Sequence, residues 1–316
     1  MATLGYSQTN FDVTSYGAVG DGITDDSQAF MMAWQEACGA TSTGPTLYIP
    51  NQKTFFLNPI RFEGPCKSQV RVQIMGQIIG PADASAWNGE DAKMWLTFAG
   101  VNGLHAFGNG QLDGRGETWW KSCPIMNGCM RPTALAFLGC SNLTVDGLKS
   151  INSAQNHLTI GGCENVVLSN LKLSAPDDSP NTDGIKIGSS TNVQVFDSTI
   201  GTGDDCIAII SGSSFINISG IACGPGHGIS IGSLGKDVEN ATVEEIHIKD
   251  CILNGTDNGA RIKTWQGGVG NARKITFENI QLNSSRNPII IDQFYCPTDG
   301  CKNQVNPIHW NSNLTI

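Results

Sequence analysis

The sequence is poor in charge. Only 15% of its 316 residues are Asp, Glu, Lys or Arg, against roughly a quarter in an ordinary soluble domain. Basic residues are the scarcer kind, 19 against 28 acidic, for a net charge of −9. That balance excludes general binding to DNA or RNA, because neutralising phosphates needs a basic face. No run approaches the ~20 apolar residues that span a bilayer, so no membrane partner is expected. No two cysteines have the CxxC spacing of a zinc site, so no structural metal is expected either.

What the chain does have is glycine, 38 residues of it, and an apolar fraction of 40%. The apolar content is enough for a large core and excludes a disordered chain. High glycine with few charges and many β-branched residues points to an all-β protein with many turns. The length suits two average domains or one elongated β domain. No linker or shift in composition divides it, so a single domain over 1–316 is expected. Eleven cysteines and six N-x-S/T sequons, beginning at Asn142, Asn217, Asn240, Asn254, Asn283 and Asn313, favour a secretory route and an extracellular glycoprotein. The first residues, MATLGYSQTN, lack the basic and apolar segments of an export signal. Either a leader has been removed or the chain is atypical.

A repeat decides the architecture. One strand series starts at His157, Gly184, Cys206, Gly228, Arg261 and Pro288, in steps of 27, 22, 22, 33 and 27. A second, out of phase, starts at Asn142, Asn165, Asn192, Phe215, Val243 and Lys274. Each run alternates apolar and polar residues, as a half-buried strand does, and turn formers fill the gaps. The three- and four-residue spacing of helical repeats is absent. Short strands at this period read as a solenoid, a right-handed parallel β-helix whose coils stack ~4.8 Å apart. Asn142, Asn165 and Asn192 at strand starts suggest amides bonding the turns. Asp25-Asp26-Ser27 before Ala29, Phe30, Ala33, Trp34 and Ala37 reads as an N-capped amphipathic helix over about 25–38, placed to cover the first coil. No capping element follows Asn313-Leu-Thr-Ile316.

The register stacks chemistry. Asp183, Asp205 and His227 each stand immediately before a strand of the first series, evenly spaced by one coil. Asp204 lies beside Asp205. Arg261 and Lys263 flank Ile262, so both point off one face of their strand. A lone Asp at a coil corner is ordinarily a turn residue. Three acids and a His on adjacent coils raise each other's pKa, which a structural role would not select. The nearby cations argue against a calcium site. Paired carboxylates suit glycosidic hydrolysis, one acid donating to the leaving oxygen and another activating water. Cations beside them suit a substrate that is itself a carboxylate. Parity leaves open which of Asp204 and Asp205 faces outward.

Asn181-Thr-Asp183, Gly203-Asp-Asp205, Gly226-His-Gly228 and Arg261-Ile-Lys263 together resemble the signature of the polygalacturonases. Ser179-Pro-Asn-Thr-Asp183, Cys223-Gly-Pro-Gly-His227 and Ala260-Arg-Ile-Lys-Thr-Trp265 are similar to the plant branch. So is Tyr16-Gly-Ala-Val-Gly-Asp-Gly22, which related β-helix enzymes share. The resemblance covers roughly residues 10 to 304. It implies an inverting hydrolase of α-1,4 bonds between galacturonic acids in demethylated pectin (homogalacturonan), secreted to the cell wall, monomeric, and without metal or cofactor. It implies Asp204 as general acid, Asp183 and Asp205 holding and activating the water, and His227 supporting the protonation state of the acid. Arg261 and Lys263 would bind galacturonate carboxylates. Asn181 separates the pattern from relatives acting on rhamnose-containing pectin, although a turn amide would look the same. Tyr295 resembles a substrate-contacting tyrosine, although packing beside Cys296 would serve equally.

Cys206 with Cys223, beside the site, resembles a disulfide of that family; Cys296 with Cys301, closing a short loop, and Cys38 with Cys66, tying the helix to an early coil, are further expected pairs, although free buried thiols would fit as well. Plant members continue for several coils further, so the sequence is expected to be shortened at its carboxyl end, leaving strand edges and core exposed. Two other readings remain. A calcium-dependent pectate lyase would need calcium and a basic residue in place of the acid set. A disabled wall-binding protein would keep the fold and lose turnover.

Overall fold

The computed structural model describes residues 9–83, 87, 93–123, 129–236, 240–296 and 309–315. It is an all-β, right-handed parallel β-helix, in two compact units, Met1–Ala154 and Gln155–Ile316. Among the described residues no helix is long and apolar enough to cross a membrane.

In the first unit, Ile60–Glu63, Met94–Ala99 and Thr133–Leu138 pair in parallel. Their register stacks Phe62 on Phe98 and Phe98 on Phe137, with ring centroids 4.7 and 5.5 Å apart. A second stack runs Asn10–Asp12, Thr46–Ile49, Arg71–Ile74, His105–Phe107 and Ser141–Asp146. The helix Ser27–Gly39 buries Ala29, Phe30, Ala33, Trp34, Ala37 and Cys38. Trp34 reaches Phe62 and Phe98 at 5.3 and 5.4 Å, and the disulfide Cys38–Cys66 ties the helix down. The helix start differs from the expected cap. The Asp26 carboxylate turns away to accept from Val19 N and Gly20 N, and Asp25 accepts from Ser27 N instead. Two backbone donors in the preceding loop outcompete the helix end. A short helix, Glu117–Ser122, and a disulfide, Cys123–Cys129, were not anticipated.

In the second unit, Leu158–Gly161, Ile185–Gly188, Ile207–Ile209, Ile229–Leu234, Asn258–Trp265 and Asn287–Tyr295 form one parallel stack. Another runs Glu164–Ser169, Thr191–Phe196, Ser213–Ser219, Asn240–Asn254, Val269–Asn283 and His309–Thr315. The core is an isoleucine ladder. Ile187, Ile209 and Ile231 are fully buried, and Ile262 follows at 5% exposure. A buried side chain of this size contributes about 1.5–3 kcal/mol. Ile289 and Ile291 hold the equivalent places on the strand Asn287–Tyr295 and are half exposed, 53% and 52%.

The strand starts expected from sequence slip by two positions at the fourth coil. Ile262 stacks on Ile231 and Ala260 on Ile229, so the coil is shorter than the spacing of Gly228 and Arg261 suggests. A slip of two preserves alternation, which is why the assigned faces survive it. The second series slips likewise, Ile246 lying on Ile216, which puts Glu245 and not Val243 at the corner. The corners explain themselves. Asn165, Asn192, Phe215, Glu245 and Lys274 all have φ between 53° and 58°, a left-handed conformation that asparagine tolerates best. The Asn192 amide donates to Asn165 Oδ1 at 2.6 Å, and further along Lys274 and Glu245 form an ion pair. Cys206–Cys223 is a disulfide, whereas Cys301 lies outside the described residues. Cys163 and Cys251 are buried thiols whose Sγ atoms donate to Gly161 O and Lys249 O.

Candidate active site

Asp183, Asp205 and His227 are each two positions upstream of Ile185, Ile207 and Ile229, which stack directly. The backbone carries the register past the strand ends: Gly184 N donates to Asp205 O, and Cys206 N to Gly228 O, both at 2.9 Å. On the coil before, the column position falls to Asn156, because Leu158 pairs with Ile185. His157, one place further on and level with Gly184, donates its N–H to Asp183 O, and its ring is fully buried, which pushes its pKa down to about 3. The Gly226-His-Gly228 motif has a local cause. Gly228 has φ +85°, and a Cβ there would lie 2.1 Å from Asn258 O. The backbone passes the next coil too closely for any side chain but hydrogen.

Asp204 and Asp205 face different partners. Asp204 Oδ1 lies 2.9 Å from His227 Nδ1 and accepts from Asp205 N at 2.8 Å, while Oδ2 accepts from the Asn181 amide at 3.3 Å. Asp205 is buried at 2% exposure. Its Oδ2 accepts from Lys263 Nζ at 2.8 Å and its Oδ1 from Ser230 Oγ at 2.5 Å, with Arg261 at 3.9 Å. So Asp204 is the more accessible carboxylate of the two, and Asp205 is enclosed by cations and a hydroxyl. His227 Nε2 also lies 3.5 Å from Asp257 Oδ2, so the imidazole bridges two acids.

These contacts divide the protons. Partial burial, reinforced by the negative charges of Asp204 and Asp205, holds the Asp183 carboxyl well above the usual carboxylate range. Burial would raise Asp204 too, but the hydrogen bond and charge of His227 outweigh it, and its pKa lies below the ordinary value. The bond to Asp204 raises His227 in turn, against the effect of burial. At mildly acidic pH these directions favour a proton on Asp183 and another on the His227 side of the Asp204 pair.

A cleft of about 370 Å³ opens over this cluster, lined by Asn181, Asp183, Asp204, Asp205, Lys263 and Tyr295 among others. His227 and Arg261 touch the cluster through Asp204 and Asp205 without lining that cleft. Tyr295 places its ring 5.3 Å from Lys263 Nζ and meets Trp265 edge-on. Ser230, Asp257 and Lys186 were missed in the sequence. Ser230 and Lys186 fall on the outward row that contains Arg261, and extending the register would have found them. Donor atoms of Asp204, Asp205 and His227 lie within 4.8 Å of one another, near enough to hold a cation. The ammonium of Lys263 already supplies positive charge at Asp205, which weakens the case for a divalent ion there.

Three carboxylates and an imidazole, brought together on a parallel β-helix beside the cations Lys263 and Arg261, define the class: a β-helix protein with an acid–base site. The sequence model of Glycosyl hydrolases family 28 matches residues 38–316, and the chain belongs to that family. A probable polygalacturonase of Arabidopsis thaliana is 52% identical over 290 residues, 92% of this chain and 62% of that protein. A polygalacturonase of Persea americana is 46% identical over 308 residues, 95% of this chain and 65% of its own length. The chain thus spans a little under two thirds of the length of these relatives. Among solved structures, the endo-xylogalacturonan hydrolase of Aspergillus tubingensis superposes with a TM-score of 0.81 at 29% identity, covering 93% of this chain and 78% of that one. The polygalacturonase of Erwinia carotovora gives 0.78 at 20% identity, over 98% and 85%, which speaks to the fold alone.

Proposed function

We propose that the protein is a polygalacturonase that hydrolyses α-1,4-galacturonosidic bonds in demethylated pectin with inversion. The observation that carries the reading is the Asp204–His227 contact at 2.9 Å beside Asp183 and Asp205. Asp204, the more accessible of the adjacent carboxylates, is the general acid. Its lowered pKa would disqualify it if the proton were not already close, on His227. When a polymer fills the cleft and displaces water, a charged Asp–His pair loses solvation, and the neutral pair is favoured. The proton then moves from His227 Nδ1 to Asp204. Asp204 gives it to the leaving glycosidic oxygen as the C1–O bond breaks. A water held between Asp183 and Asp205 forms the new bond to C1 from the opposite face and loses its proton to Asp205. Asn181 orients Asp204 through its amide, and Arg261, Lys263 and Tyr295 take the sugar on the far side of Asp205.

We also propose an extracellular setting, in the cell wall. Of the sequon asparagines, Asn142, Asn217, Asn240, Asn254 and Asn283 are exposed and open to glycosylation. Three disulfides in the described residues suit an oxidising compartment.

The test is incubation with demethylated polygalacturonate and a chelator at about pH 5, in the range of a coupled carboxylate set. Reducing ends and ultraviolet absorbance are followed together. New reducing ends without unsaturated products are expected. Unsaturated products that require calcium would replace the reading with a lyase. No release from well-folded protein would replace it with a wall-binding protein.

A further inference from the structure

The reaction proposed above uses the cations at one end of the cleft. Two further cations line the cleft: Lys236, whose ammonium lies over the Trp265 ring, and Lys186, on the coil of Asp183 at the other end. It sits between Ile185 and Ile187, both fully buried, so strand alternation turns it outward. Its row runs by register from Lys186 to Ala208, Ser230 and Arg261. Three strand steps separate Lys186 from Arg261, about 14 Å. The two residues between are small, which keeps the floor of the row low. Beyond Lys186, on the preceding coil, Gln155 and Asn156 also line the cleft.

The two ends differ in how their cations are committed. Lys263 is 5% exposed and bonded to Asp205 at 2.8 Å. Arg261 stands 3.9 Å from the same carboxylate. Lys186 is half-buried and makes no ion pair among the described residues. A half-buried ammonium without a bonded carboxylate, lining a cleft, is suited to an anionic ligand.

We infer that Lys186, with Gln155 and Asn156 beside it, forms a second carboxylate-binding subsite, which grips an unesterified acid sugar at the end of the cleft opposite Arg261 and Lys263. The inference rests on the polygalacturonase reading of the site. A polymer lying across the coils with a carboxylate on every sugar then meets cations on both sides of the acids. A methyl ester at that position removes the charge and leaves the ammonium without a partner.

The competing role for Lys186 is purely electrostatic, its charge drawing the Asp183 carboxyl down against the stronger upward effects. The two roles separate experimentally. Binding of unesterified and methyl-esterified galacturonate oligomers is measured by calorimetry at pH 5 on the full chain, with Asp204→Asn to stop turnover. The same background carries Lys186→Gln and Lys186→Arg, and thermal melts check folding. Lys186→Gln is expected to raise Kd for the unesterified oligomer roughly tenfold, the scale of one charged hydrogen bond, and to leave the esterified one nearly unchanged. Lys186→Arg should keep most of the preference. Initial rates in the otherwise wild-type chain should show the loss in KM more than in kcat. Equal effects on both oligomers, or a shifted pH profile with KM unchanged, would overturn the subsite. A wild-type chain that neither binds nor cleaves either polymer overturns the polygalacturonase reading itself, a result distinct from loss of ester discrimination alone.

Discussion

Each of the two units has its own ladder of stacked side chains, aromatic in one and aliphatic in the other. In the first, Phe62, Phe98 and Phe137 lie in register across long, unequal coils. In the second, Ile187, Ile209 and Ile231 do so across short, equal ones. Flat rings stacked 4.7 to 5.5 Å apart match the strand spacing, and each buries a large area. They hold coils together whose turns are long and varied. Isoleucine suits coils that repeat closely, because each branched chain must interlock with the one below. Where coils are short, the residues at strand starts also superpose, and only there do Asp183, Asp205 and His227 form a column. The column of acids is therefore found with the isoleucine ladder, whereas the stack of Phe62, Phe98 and Phe137 is apolar.

That contrast can be broken from either side. The largest effect is expected at the acids. Asp204→Asn should lower turnover roughly a hundred- to ten-thousandfold, the usual contribution of a general acid, while the melting curve stays near wild type. Wild-type turnover in this variant would remove Asp204 from the role. Lys263→Met and Phe98→Ala form a matched pair. Removing the ammonium leaves Asp205, 3% exposed at its side chain, without its cation, which should destabilise the chain by about 3–5 kcal/mol and abolish activity. Phe98→Ala should cost about 3–5 kcal/mol too, but activity per folded molecule should be unchanged. Denaturant melts with kinetics normalised to folded protein measure both, and a catalytic defect in Phe98→Ala would erase the distinction.

The pH dependence is smaller and belongs to the second unit. The folded His227 binds its proton more tightly than the ordinary 6.5, so its contribution is complete below 6.5 and fades as pH rises through its raised value. Asp183, also raised, works in the same direction from its ordinary 3.8 upward. Asp204 is lowered, so its contribution is lost only as pH falls through a value below 3.8. The melting temperature should then decline as pH rises from about 4.5 to about 8, and His227→Gln should flatten the upper part of that decline. A melting temperature that rises over this range would contradict the proton distribution. The smallest effect is at a corner. Asn192→Ala loses the amide bond to Asn165 and puts alanine at φ +53°, for about 1–2 kcal/mol and no change in turnover.

The same contrast governed what could be read from sequence. The coils around the site repeat at an even spacing, so the fold and the column of Asp183, Asp205 and His227 were legible from that spacing alone. Asn156, just before His157 at the head of the same series, holds the column position on the preceding coil, as the pairing of Leu158 with Ile185 shows. The steps from Phe62 to Phe98 and from Phe98 to Phe137 are longer and unequal, which hides the first unit's repeat, because long turns separate its short strands. The slip at Ile262 was invisible because alternation is the same before and after it. Side-chain partners were harder still. That Lys263 reaches back to Asp205 across two coils, while Lys186 makes no ion pair among the described residues, depends on the lengths and rotamers of side chains that a pattern does not encode.

The chain takes a much longer path from Ile231 to Ile262 than from Ile209 to Ile231, yet both steps land in the same ladder. The difference is absorbed by the turns. Doubling a flexible loop costs only ~0.6 kcal/mol in closure entropy, so such insertions are nearly neutral for stability. The acids are anchored to the ladder and do not move when a turn lengthens. The walls of the cleft can thus vary in length while the column of acids beneath them keeps its register.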